Sequence, residues 1–364
     1  MLIKNIEVTP FVIPLKKPTK WAAGYMTEVD WLLVKIIGED GSYGVSEAIP
    51  RPMIYGETQQ SIYYAILRYL APLIIGEDSF SLERIWSKMG ALAANPAAKA
   101  AIDIALHDLN GKLLQMPIYR MLGGPARKEI DLVWMVGLMS NREMIAEMQQ
   151  KIGEGFRAFK VKGGIDADND IALIKQMRRE VPADIKIYID ANMRYDKETA
   201  YRVLKELEGM LDCIEEPMLA TDDSGRKELA QKTSVPLLGD ESVFTVADVS
   251  RQIALGALKR ISIKMPRSGF WLSRKIVHLA EAANIKLQIN TQSETTLGTA
   301  GCLHLAAAHE QISLPNEMTF YMDVCDSLIT NELRIVDGKM QLLDGPGLGI
   351  DIDWEKVRKY SVAI

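Results

Sequence analysis

The chain has 364 residues, 48% hydrophobic and 25% charged, with a formal net charge of −5; that is an ordinary globular composition, long enough for one large core or two domains. Nothing in this balance supplies the basic face that nucleic acid needs, no apolar run approaches the roughly 18 residues that span a bilayer, and charges interrupt every apolar stretch of the first twenty residues, leaving no signal-peptide pattern. Three widely spaced cysteines, Cys213, Cys302 and Cys325, fit neither a disulfide framework nor a zinc site and read as reduced residues of a cytoplasmic protein.

The chain begins with β-rich runs, IEVTPFVIPL and WLLVKIIGEDGSYGVSEA, with Glu39-Asp40-Gly41 as a hairpin turn. TQQSIYYAILRYLAPLI and SLERIWSKMGALAANPAAKAAIDIALHDLNGKLLQ follow at helical spacing, the second interrupted near Pro96. Strands followed by helices predict an α+β domain over residues 1–125.

After Gly123-Gly124 short strands alternate with amphipathic helices. Eight strands are expected, beginning at Asp131, Ala158, Lys186, Cys213, Pro236, Arg260, Lys286 and Thr319 (TFYMD). Eight such units in about 200 residues predict a (β/α)8 barrel over 126–325. A doubly wound open sheet would have fewer strands and an early phosphate loop. The tail, 326–364, turns at Asp337-Gly338 and is expected to return to the first domain. Its GPGLG stretch from Gly345 lacks the surrounding βαβ unit of a nucleotide loop and reads as a turn.

Barrel active sites are built at the C-terminal strand ends. Those ends carry Lys160 and Lys162, Asp190 and Asn192, Glu215 and Glu216, Asp240 and Glu241, Lys264, and Glu294 after the seventh strand. One such charge would mean little, but charges on six units argue for a site. Asp190, Glu215 and Asp240 end adjacent strands about 4.8 Å apart. Their carboxylates can converge on one cation, and an all-oxygen set selects Mg²⁺ first and Mn²⁺ second. Glu216 and Glu241, one residue on, are expected on the opposite strand face.

Lys160 and Lys162 share a face about 6.6 Å apart. Their repulsion, on the order of 2.5 kcal/mol, would draw a lysine from about 10.4 toward roughly 8 to 9, poised for acid–base work. Lys160 reads as the electrostatic helper, while Lys162 and Lys264 face each other across the barrel. The four histidines, His107, His278, His304 and His309, fall on predicted helices without ligand spacing.

This constellation resembles the enolase superfamily, in its muconate-lactonizing branch: the K-x-K of FKVKGG, the Asp of YIDAN, the first Glu of IEEP, the Asp of GDES, the Lys of SIKM and Glu294 of SETTLGTAGCLHLAAA. GVSEA and NPAAKAAIDIALHDLNGKLLQMPIYRMLGG extend the likeness over nearly the whole chain. The resemblance implies a barrel capped by an N-terminal α+β domain that the C-terminal segment completes, and a homo-oligomer. It implies a divalent metal on Asp190, Glu215 and Asp240, acid–base roles for Lys162 and Lys264, and a metal-stabilised enediolate beside the carboxylate of a small-molecule substrate. Glu294 would bond that carboxylate, and Asn192, Tyr55 and Asp323 are candidate substrate contacts. Loops around Thr19–Met26 and Arg51–Tyr55 would close over the mouth.

The mandelate-racemase branch would place a histidine at Asn290 and lack the lysine at 264, so it is disfavoured. Dipeptide epimerases carry Asp-x-Asp where this chain has Tyr321-Met322-Asp323. Ser268-Gly269-Phe270 replaces the usual double glycine, and this RSGF form, with RPMIYGET and PGLGIDID, looks closest to muconate cycloisomerases. The leading expectation is therefore a cycloisomerase converting muconate to muconolactone. A two-lysine racemase or epimerase of an N-acyl amino acid, dipeptide or cyclic amino acid derivative is the alternative, with aryl-succinate-forming dehydration and a non-catalytic binding protein behind it.

Overall fold

The computed structural model describes residues 1–21 and 24–364; Ala22 and Ala23, inside the Thr19–Met26 loop named above, lie outside the described residues. An antiparallel sheet opens the chain: β1 (Ile3–Trp21), β2 (Gly24–Gly38) and β3 (Tyr43–Ala48), in that order. Its β2–β3 hairpin turns through the expected Glu39-Asp40-Gly41, with Asp40 accepting from Ser42 N at 2.9 Å. Inward residues of β1 and β2 alternate to build the core, and the rings of Phe11 and Trp31 stack at 5.6 Å.

The helices α1 (Pro52–Tyr55), α2 (Gln59–Tyr64), α3 (Ala71–Ile74), α4 (Leu82–Met89), α5 (Pro96–Leu113) and α6 (Ile118–Met121) follow. The break at Pro96 is where expected. Most of α5 is buried, because it packs β3 on one side and a barrel helix on the other.

A short strand, β4 (Glu129–Asp131), then leads into the barrel: β5 (Trp134–Val136), α7 (Asn141–Gly153), β6 (Ala158–Lys162), α8 (Ala167–Glu180), β7 (Lys186–Asp190), α9 (Lys197–Glu206), β8 (Cys213–Glu215), α10 (Asp223–Lys232), β9 (Leu237–Gly239), α11 (Val246–Leu255), β10 (Arg260–Ile263), α12 (Met265–Ala282), β11 (Lys286–Ile289) and α13 (Thr296–Ala308). The strands β5 to β11 form one parallel seven-stranded sheet in sequence order.

The eighth stave differs from the expectation. TFYMD is no strand; Phe320–Asp323 is a 3-10 turn. The gap is bridged a few residues earlier. Asn316 bonds both ways with the first stave, its N to Asp131 O and its O from Val133 N, each 2.8 Å, and Glu317 N reaches Ile289 O of β11, also 2.8 Å. Pro315 removes one backbone donor here, and the Asn316 side chain supplies an acceptor for Ile289 N at 2.7 Å. Proline and a side-chain substitute disguise this stave in the sequence.

The tail hairpin, β12 (Ile335–Val336) and β13 (Lys339–Gln341), turns at Asp337-Gly338 and adds to β4 rather than to the N-terminal sheet. Beyond it the chain does return to the cap: Gly347 N bonds Met116 O at 3.0 Å, and after α14 (Trp354–Tyr360) Val362 N bonds Pro10 O at 3.0 Å. The GPGLG segment is the turn read from the sequence, with Leu348 N donating to the buried Asp108 at 2.8 Å. Among the described residues no helix is long and apolar enough to cross a membrane.

Buried carboxylates fasten the cap to the barrel. Asp103 of α5 accepts from Phe270 N at 2.6 Å and Trp271 N at 3.2 Å, capping the second half of α12 where Gly269 (φ 57°) breaks it. A Cβ at Gly269 would collide with that carboxylate, which is why RSGF carries glycine here. Glu47 of β3 likewise caps α13, accepting from Thr295 N at 2.9 Å and from the Thr295 hydroxyl. Burial pushes the Glu47 carboxyl up to about 8, against the hydrogen bonds from Thr295.

The pH dependence of stability has a definite sign. Unfolded, Glu47 ionises near its ordinary 4.5; folded, near 8. Between these values the folded state keeps a proton that the unfolded chain releases, so rising pH lowers stability through this window. Glu47→Gln removes that titration, and the thermal midpoint of the variant is expected to fall less steeply than the wild type's between about pH 5 and pH 8. Parallel curves would contradict the assignment.

Candidate active site

The sheet register sets out the site. Lys162 of β6 is the partner of Asp190 on β7, and Asp190 the partner of Glu215 on β8, so three charged groups stand in one row inside the barrel. Lys160, two residues earlier, shares their inward face one layer below. Asp240 sits two residues past Leu238, the partner of Glu215, and so stands one layer higher.

From its lower layer Lys160 reaches up to three acids: Asp190 Oδ2 at 2.9 Å, Glu215 Oε1 at 2.9 Å and Glu317 Oε2 at 3.0 Å. All four groups are buried. Burial opposes the Lys160 charge, but the attraction of Asp190, Glu215 and Glu317 outweighs it and holds the ammonium well above the usual lysine range. This reverses the downward shift expected from the Lys160–Lys162 pair, because three carboxylates act against one ammonium.

Lys162 Nζ lies 2.6 Å from Asp190 Oδ2 and 3.1 Å from Asn192 Oδ1. Lys264, at the head of α12, pairs with Asp240 Oδ2. Arg267 approaches the other Asp240 oxygen at 3.4 Å and bonds the Asp240 carbonyl at 3.1 Å, while its guanidinium stands 4.2 Å over the Phe244 ring. Burial would raise Asp190 and Asp240, but their lysines hold both below the usual carboxylate range. Glu215 goes the other way: burial and the neighbouring Asp190 charge push it up.

Asn290 Nδ2 donates to Glu215 Oε1 at 3.0 Å, and Gln288 bridges Asn290 and the Tyr188 hydroxyl at 2.7 and 3.1 Å. Glu215 Oε2 is buried without a hydrogen-bond partner.

Among the described residues no three acidic, histidine or cysteine side chains form a ready three-ligand metal site. The ammoniums of Lys160, Lys162 and Lys264 occupy the carboxylate oxygens instead. The donor set still fits a hard divalent cation, being all oxygen, mutually repulsive and carrying an orphaned carboxylate oxygen on Glu215.

Lys160, Lys162, Lys264, Asn192 and Glu317 line one pocket of about 70 Å³, with Arg51, Trp21, Met26 and Ile54 of the cap forming its other wall. Of the remaining sequence candidates, Glu294 does not line the pocket but bonds the Thr291–Ser293 segment that does, accepting from Gln292 N at 2.8 Å and from the Thr291 hydroxyl. A further acid that touches a site lysine is Glu317, hidden in the sequence by the disguised eighth stave. Tyr55 turns away, its hydroxyl donating to Ile49 O at 2.9 Å. Asp323 lines a separate cleft with Lys17, Lys20 and Trp134.

Glu216 is buried against Arg226 and Ser242, as its opposite face implied. Glu241 is not on that face: β9 ends at Gly239, the chain coils into a 3-10 turn over Glu241–Val243, and Glu241 lines the pocket, accepting from Asn192 at 3.3 Å. None of the four histidines lines the pocket.

Residues 4–123 match the family model for the N-terminal domain of mandelate racemase / muconate lactonizing enzyme, and residues 143–357 match the enolase C-terminal domain-like model. Muconate cycloisomerase 1 of Rhodococcus opacus is 31% identical, covering 99% of this chain and 98% of its own. An L-Ala-D/L-Glu epimerase of Clostridium acetobutylicum is 30% identical over 96% of this chain and 99% of its own. The muconate lactonizing enzyme of Mycobacterium smegmatis complexed with muconolactone superposes with a TM-score of 0.96 at 35% identity, covering 100% of both chains. The N-succinyl Arg/Lys racemase of Bacillus cereus superposes with the same score at 27% identity, over 100% of this chain and 99% of that one.

Lys160→Met leaves buried carboxylates without their shared cation and is expected to cost about 3–5 kcal/mol of unfolding free energy in a denaturant titration. Adding Glu317→Gln is expected to restore part of the loss, since the two residues are coupled. Strict additivity of the two substitutions would contradict the three-carboxylate clamp.

Proposed function

The chain belongs to the mandelate racemase / muconate lactonizing enzyme family of the enolase superfamily and is an isomerase of that superfamily; within it, we propose that the reaction is the reversible cycloisomerisation of a cis,cis-muconate to muconolactone. The observation that carries this reading is that Lys162 and Lys264, each paired with a different carboxylate, line one small pocket. Asp323, which stands where dipeptide epimerases carry Asp-x-Asp, lies in another cleft.

In this reading Asp190, Glu215 and Asp240 hold Mg²⁺, or Mn²⁺ in its place, which when bound supplies positive charge against a substrate carboxylate. Lys160, fixed by its three acids, adds a second positive charge that needs no reorganisation as negative charge develops. The substrate's other carboxylate oxygen forms a C–O bond to the conjugated double bond, and the displaced π electrons move toward the α-carbon. Lys162 or Lys264 gives that carbon a proton, its N–H bond breaking as the C–H bond forms. Asn192 steadies Lys162, and Arg267 steadies the Asp240 that holds Lys264.

Two lysines at one pocket also support a second reading, in which one removes and the other returns an α-proton of an N-acyl amino acid, a dipeptide or a cyclic amino acid derivative. The two readings share their acid–base residues and differ in substrate.

The test is turnover of cis,cis-muconate in D₂O with Mg²⁺ present. Lactone carrying one deuterium at the α-carbon is expected, and Lys162→Ala or Lys264→Ala should lower kcat by about 10² or more for whichever lysine donates. No lactone, with α-deuterium appearing in recovered N-acyl amino acids, would replace the first reading by the second.

A further inference from the structure

The pocket of about 70 Å³ holds the charged groups but opens into a vestibule of about 740 Å³ between cap and barrel. Arg51 lines both, standing where the small polar chamber meets the larger one. The vestibule walls are largely apolar, with Trp21, Met26, Ile54 and Phe244 among them. Arg51 is the residue before α1, and its backbone is pinned there by Ile54 N and Tyr55 N, each 3.0 Å from its carbonyl.

Its side chain has no charged partner among the described residues. Arg226 and Arg267 each have a carboxylate beside them. No carboxylate of the described residues pairs with Arg51, and its Nε is buried with no hydrogen-bond partner. The acids that feel its charge, Glu294, Asp240 and Glu317, act only at longer range. A partly desolvated guanidinium with a free fork of donors is costly unless an anion completes it. Its planar fork matches the two oxygens of a carboxylate or phosphate, and of these the proposed reaction supplies a carboxylate. The vestibule's own acids do not fill the role: Glu28 and Asp30 are exposed to solvent, and Glu241 is bonded to Asn192.

We propose that Arg51 is a specificity-determining residue that receives a second carboxylate of the substrate, so that the enzyme acts on dicarboxylates with an apolar span between their ends. The assignment rests on the proposed function for the location of the first carboxylate, and narrows it. A muconate satisfies it, with Arg51 orienting the carboxylate that attacks the double bond. Among two-lysine substrates, it admits an acyl group ending in a carboxylate and excludes an uncharged dipeptide end.

The experiment uses non-reacting ligands, so that binding is read apart from chemistry. Adipate, a saturated six-carbon dicarboxylate, and its monoamide are titrated calorimetrically into the Mg²⁺-loaded protein. Wild type is expected to bind adipate about tenfold or more tighter than the monoamide. Arg51→Met should remove that preference and Arg51→Lys should keep part of it, while the thermal midpoint of unliganded Arg51→Met does not fall, because no partner is lost. Equal affinities in wild type, or a preference surviving in Arg51→Met, would overturn the assignment. Lactone formation from muconate is followed in the same wild-type preparation and stands or falls separately: lactone without a dicarboxylate preference sinks Arg51 alone, whereas a preference without lactone leaves Arg51 in place and removes the cycloisomerase.

Discussion

Everything at the barrel mouth depends on a cluster of carboxylates that has been taken out of water. Asp190, Glu215, Asp240 and Glu317 are all buried, and none could stay charged there without cations close by. Lys160 serves three of them, Lys162 shares Asp190 with it, and Lys264 and Arg267 serve Asp240. The arrangement holds the lysine ammoniums in place as much as it supplies stability. Each lysine that faces the pocket has its ammonium fixed by a carboxylate, and Asp190 and Glu215 are in turn fixed by register in the parallel sheet.

The same reasoning extends to the seam between cap and barrel. Asp103 and Glu47 spend buried carboxylates on helix starts in the barrel, α12 and α13 respectively. Those two helices follow β10 and β11, which lead to Lys264 and to the Thr291–Ser293 wall of the pocket. Fastening the cap at these points sets Arg51, Trp21 and Met26 opposite the lysines. The pocket is therefore a property of the seam, and its outer, apolar part belongs mostly to the cap.

Much of this was legible in the sequence because it follows from periodicity. Two-residue spacing put Lys160 and Lys162 on one face, and strand-end position singled out Asp190, Glu215, Asp240 and Lys264. What was hidden has physical causes. Pro315 and the Asn316 side chain disguise the eighth stave, so nothing in the sequence marks Glu317 as a strand-end acid. Alternation failed for Glu241 because the strand had already ended. The Lys160 shift had the wrong sign because a pairwise repulsion was weighed without the three acids that the fold gathers. Arg51 was named only as a loop boundary, since an unpaired guanidinium is visible only when its surroundings are known.

The central claim is that the buried carboxylates form a cation site whose charge the lysines balance. Calorimetric titration of Mg²⁺ into chelator-treated protein tests it most directly. The account predicts saturable binding of one ion per chain, abolished by Asp190→Asn or Glu215→Gln with the fold intact. Absence of saturable binding, or binding unchanged in those variants, would contradict it.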